Sequence, residues 1–131
     1  MVDVSTRGGT TAFSTASGSS AITVTAVNDA PVLTGSSNFN TITEDQTSNA
    51  GQLVSTLFTG TDVDSGAVNG IAIYNTSPSN GTWQYSTDGG STWSNVGSVS
   101  GSSALLLRST DSLRFVPDGH NADSASLSFY A

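Results

Sequence analysis

The chain has 131 residues, enough for one domain with a real core, and a net charge of −7 from ten acids and three arginines, with no lysine. Three scattered arginines in an acidic chain argue against a nucleic-acid partner or an anionic membrane, both of which require clustered cations. Cysteine is absent, so neither a disulfide framework nor a thiolate metal site can form, and no apolar run approaches the roughly 20 residues of a membrane span.

From the N-terminus, no apolar stretch follows Arg7, so no signal peptide is read there. The chain is then either cytoplasmic or a piece of a longer exported chain, and the mid-strand pattern of the opening "VDVST" favours the piece. Residues 5–20, "STRGGTTAFSTASGSS", are poor in hydrophobics and read as a long loop with one strand around Phe13. "AITVTAV" then alternates Ile22, Val24 and Ala26 against Thr23 and Thr25, the signature of a half-buried strand. "NDAP" follows as a seam between two structural units.

Beyond the seam the hydrophobic period stays at two. "GIAIYNT" places Ile71 and Ile73 on one face, and "GTWQYST" does the same with Trp83 and Tyr85. "SALLLRS" is a short apolar run. "DSLRFVP" sets Leu113 and Phe115 against Arg114, and "SASLSFYA" sets Leu127 and Phe129 against serines. Turn pairs such as Ser65-Gly66, Asn80-Gly81 and Asp118-Gly119 punctuate these segments, and no window has helical periodicity. Serine and threonine supply 42 residues, a neutral hydroxyl surface that suits strands and turns. The expected fold is all-β, an immunoglobulin-like β-sandwich.

The best-defined local motif is "STDGGSTW", Ser86 to Trp93, which resembles the Asp-box hairpin pattern S-x-D-x-G-x-T-W. Asp88 can accept backbone N–H groups in such a turn, and Gly89 and Gly90 tolerate positive φ. Two readings stand side by side. One is a structural hairpin with aromatic packing; the other is a carbohydrate- or surface-binding platform of Trp83, Tyr85 and Trp93 for a surface glycan.

Most acids sit in turn-like segments. Asp62 and Asp64 form a D-x-D pair, whose carboxylates share one side of an extended segment and can face one cation. With Asp29 in the seam and Glu44 in "ITEDQ", they are either a calcium site or solvated turn acids. His120 is the only histidine and lies between Gly119 and Asn121, a turn context. No serine has the setting of a nucleophile elbow, and one histidine with no lysine or cysteine leaves little for acid–base chemistry near neutral pH. The chain reads as a non-enzyme.

Taken together, "AVNDAPVL", "ITED", "TDVDSG" and "PDGHNADSASLSFYA" resemble a bacterial cadherin-like repeat, over most of residues 20–131. The resemblance implies a sandwich that serves as a tandem spacer in large secreted or surface adhesins, often rigidified by calcium. It maps Asp29 to the linker acid, Glu44 to the early acid, and Asp62 and Asp64 to the D-x-D pair. It also implies that "ITVTAV" is a last strand standing first. Residues 1–30 would be the last-strand segment and linker of a preceding repeat. Residues 31–131 would be a sandwich lacking its final strand. The implied partners are copies of itself or neighbouring repeats, head-to-tail by strand exchange in a filament; a fold-back within one chain is the alternative.

Overall fold

The computed structural model describes residues 1–131. It is all-β, with one 3-10 turn at Val54–Thr56 and no α-helix. Nine strands follow in order: β1 Val32–Ser36, β2 Gln52–Leu53, β3 Phe58–Thr61, β4 Gly70–Ser77, β5 Gly81–Ser86, β6 Ser94–Asn95, β7 Leu105–Arg108, β8 Ser112–Pro117 and β9 Ser126–Tyr130. They form three antiparallel sheets: β1-β3, β2-β8-β5-β6 and β7-β4-β9. The inner faces of the larger sheets enclose the core, as in a β-sandwich.

Alternation explains which side chains turn inward. In β4, Ile71 and Ile73 are buried while Ala72 and Tyr74 are less so. They join Val54, Leu57, Phe58, Leu107 and Leu113 in one cluster, with Leu127 and Phe129 of β9 packed against it. Only 12 of the 131 residues are buried. A core that small leaves part of the space between the sheets unfilled.

The sandwich has two distinguishable ends. At the near end Val32 pairs with Thr61 and Tyr130 with Ala72, and Pro31, Asp62, Gly70 and Ala131 line one cavity. At the far end Ser77 pairs with Ser126 and Gly81 with Pro117, and Asn80 Nδ2 donates to Asp123 Oδ2 at 2.8 Å. Strand β9 runs from the far end to the near end.

Residues 1–31 contain no strand. The strand expected at 21–27 is unpaired here, with Ile22 88% and Val24 85% exposed. The physical reason is that a strand needs a neighbour to satisfy its backbone groups, and none lies beside this segment. The strand expected around Phe13 is replaced by a local turn in which Gly8 N–H donates to the Phe13 carbonyl at 2.7 Å. Strands β2, β3 and β6 have no alternating pattern of their own; all three are short and depend on partners distant in sequence or across a turn.

Candidate functional site

The hairpin joining β5 to β6 is organised by one carboxylate. Asp88 Oδ1 accepts the Thr92 N–H at 2.9 Å and the Ser86 hydroxyl at 2.7 Å, and Asp88 Oδ2 accepts the Thr92 hydroxyl at 2.6 Å. Ser86, only 2% exposed, in turn accepts the Gly90 N–H at 2.8 Å. Gly89 and Gly90 adopt φ of 72° and 89°, a left-handed region that favours glycine. Trp93 closes the turn by donating Nε1–H to the Gly90 carbonyl at 3.1 Å. All of this belongs to the structural reading of the motif.

Those donors favour the ionised carboxyl. Hydrogen bonds from Thr92 first, side chain then backbone, and then from Ser86 lower the Asp88 pKa to about 2. Its ordinary value is 3.8, so the carboxylate's contribution to stability is fully present above pH 3.8 and is lost as pH falls toward 2. Asp118 is lowered too, by the Asn121 side chain first and the His120 backbone N–H next, so the whole protein loses stability in acid. Comparing the chain with its Asp88→Asn variant isolates the hairpin. The two melting temperatures should differ clearly at pH 6 and converge below pH 2. A gap that stays constant across this range would show that Asp88 does not act through its charge.

The aromatic residues of the platform reading do not form an exposed row. Trp83 is 5% exposed and lies between Phe39 and Phe115, with ring centroids 5.0 and 5.2 Å away. Tyr85 packs against the core cluster. Trp93 is half-buried beneath Arg114, whose guanidinium carbon sits 4.1 Å from the ring centroid. A sugar therefore meets no shared face of Trp83, Tyr85 and Trp93 in this arrangement. Arg114, on β8, is the residue at the hairpin whose role sequence reasoning missed: it also donates to Gln84 Oε1, from Nε and Nη2, and to the Asn49 carbonyl.

The four acids are partly assembled. Asp29 N–H donates to Asp64 Oδ2 at 2.8 Å, and Asp64 N–H donates to Asp62 Oδ1 at 2.8 Å, so the seam is tied to the D-x-D loop at the near end. Glu44 lines a different cavity, toward the far end. No three acidic or histidine side chains converge on one point. His120 is exposed, and its backbone N–H donates to Asp118 Oδ1 at 2.9 Å.

One of two concave features of about 760 Å³ each is a groove between the open edge of β9 and the segment that follows β1; the other is the near-end cavity. Strand β9 pairs with β4 on one side and with nothing on the other. Phe39, Leu57, Trp83, Phe115, Leu127 and Phe129 give the groove its apolar lining. The indole N–H of Trp83 is buried with no acceptor, an uncommon state for a buried donor. Fold and groove define a β-sandwich in which the open edge of β9 lies beside an apolar groove. No protein-family model, curated protein or solved structure matches the chain.

Proposed function

We propose that the chain is a structural, self-associating repeat of a bacterial extracellular fibre or adhesin, of the cadherin-like kind, that joins copies head-to-tail by strand exchange. The observation that carries this reading is the coexistence of an unpaired β9 edge over an apolar groove with an unpaired, alternating segment at 20–27. Exposed strand edges and apolar patches of this kind favour association. Burying Ile22 and Val24 contributes roughly 1.5–3 kcal/mol each, before the entropy of ordering is subtracted. The groove and the donor segment are different surfaces, so the contact is heterologous and propagates into open filaments unless it closes into a ring.

Calcium enters this reading at the joint between copies. Head-to-tail stacking sets the far end of one copy, with Glu44, against the near end of the next, with Asp29, Asp62 and Asp64. Oxygens that a single chain keeps apart then approach one another.

Light scattering over a concentration series tests the assembly. The expected result is species heavier than the 13.2 kDa chain, growing with concentration; a monodisperse monomer at high concentration refutes the reading. Calcium is tested on the assembled material. At a hundredfold excess over Kd an ion that binds only the native state adds about 2.7 kcal/mol, enough to raise the melting temperature visibly. Equal melting in EGTA and in millimolar calcium removes calcium from the proposal and leaves the assembly in place.

A further inference from the structure

We infer that the groove beside β9 seats residues 20–27 of a second copy, added antiparallel to β9 with Ile22 opposite Phe129 and Val24 opposite Leu127. The inference rests on the reading of the chain as a self-associating repeat and specifies where, in which direction and in which register the copies join.

The site shows two independent signs of a missing occupant. The outer edge of β9 has no neighbouring strand, so its backbone groups on that side are free to accept one. Trp83, which lines the groove, keeps a buried indole N–H without an acceptor, and an added strand brings backbone carbonyl oxygens beside that space.

The occupant is identified by its own surface. Residues 20–27 contain no charge, so nothing ionised enters the groove. Ile22 and Val24 are almost fully exposed, and their spacing matches the inward pair Phe129 and Leu127 of β9. In an antiparallel ladder, directly opposed residues point to the same face. Pairing Ile22 with Phe129 and Val24 with Leu127 therefore sends both aliphatic side chains inward. The same register sets Thr23 opposite Ser128 and Thr25 opposite Ser126 on the outer face.

Direction decides between a second copy and the chain's own segment. The Asp29–Asp64 hydrogen bond holds the seam at the near end, and residues 20–27 lead into that end. Folded back into its own groove, the segment would run toward the near end, parallel to β9. Antiparallel entry would instead leave Val27 at the far end. Eight residues of strand span about 26 Å, whereas Val27 and Asp29 are only two residues apart, about 7 Å at full extension. All strand pairs in this sandwich are antiparallel. A second copy satisfies that pattern; its own seam then follows its Val27 out of the far end and starts the next sandwich.

The test uses full-length chains, which lack cysteine. Thr25→Cys and Ser126→Cys variants are mixed under mild oxidation, and a disulfide joining one of each is expected. The Ile22→Asp/Val24→Asp double variant alters residues outside the packed fold, so it should keep the β-sheet circular dichroism of the wild type while its association weakens on the order of a hundredfold. Its empty groove should bind a peptide of sequence SAITVTAV saturably, read by tryptophan emission, and reject a peptide with Ile and Val replaced by Asp. Undiminished association of the double variant overturns this inference and leaves the self-association reading standing. A wild-type chain that remains monomeric, or one in which Ala21→Cys and Ser126→Cys link within a single chain, overturns both.

Discussion

Leu113→Ala is expected to lower the free energy of unfolding by about 2–5 kcal/mol, the range for removing a buried leucine side chain from a core that cannot fully collapse. Leu113 is fully buried and lies in β8, between Gln52 of β2 and Tyr85 of β5. Its side chain belongs to the one cluster that spans both sheets. Domains typically have about 5–15 kcal/mol in hand, and a sandwich with only 12 buried residues has little redundancy, so the variant should unfold at markedly lower urea. Leu106→Ala is the control: Leu106 is 75% exposed on β7, in the other sheet, and should change stability by less than about 0.5 kcal/mol. Urea titration followed by tryptophan emission measures both. Equal midpoints would mean that the sandwich is not held by this cluster.

Strand content was legible where the pattern is local. Ile71 and Ile73, Trp83 and Tyr85, and Leu127 and Phe129 declare their strands by alternation alone, and β4, β5 and β9 fall on those segments. The Asp88 turn was equally legible, because its hydrogen bonds reach no further than four residues along the chain. At 21–27 the same alternation shows that the segment suits a ladder, and it does not say which molecule provides the partner. Trp83 was open to both a packing and a platform reading because sequence shows aromaticity and not depth. Its burial is set by Phe39 and Phe115, 44 and 32 positions away. The acids tell a similar story. Asp29 meets Asp64 across 35 residues, while Glu44, near both in sequence, lines another cavity. The groove itself is a product of sheet order, which no local signal carries.

Arg114 is the clearest case of a role invisible in sequence, and its removal should have the second-largest effect on a single chain. Its guanidinium joins three pieces of the molecule: Gln84 on β5 through Nε at 2.9 Å and Nη2 at 2.7 Å, the Asn49 carbonyl through Nη1 at 3.0 Å, and the face of Trp93. Hydrogen bonds from a charged group contribute about 1.5–3 kcal/mol, and a cation over an indole about 0.5–2 kcal/mol. The site is only half-buried, so water replaces part of what is lost. Arg114→Ala is therefore expected to cost about 2–3 kcal/mol. Arg114→Lys keeps the charge but not the planar fork that reaches Gln84 and Asn49 together, so it should recover less than half of the loss. These partners are neutral oxygens and a ring, so the effect should change little between low and high salt, unlike that of an exposed ion pair. Both substitutions should shift the emission of Trp93 and leave the buried Trp83 unchanged; a Trp93→Phe background separates the two signals. Full recovery in Arg114→Lys, or a loss that disappears at 1 M salt, would show that Arg114 acts as a simple point charge and not as a clamp between the hairpin and the sheet.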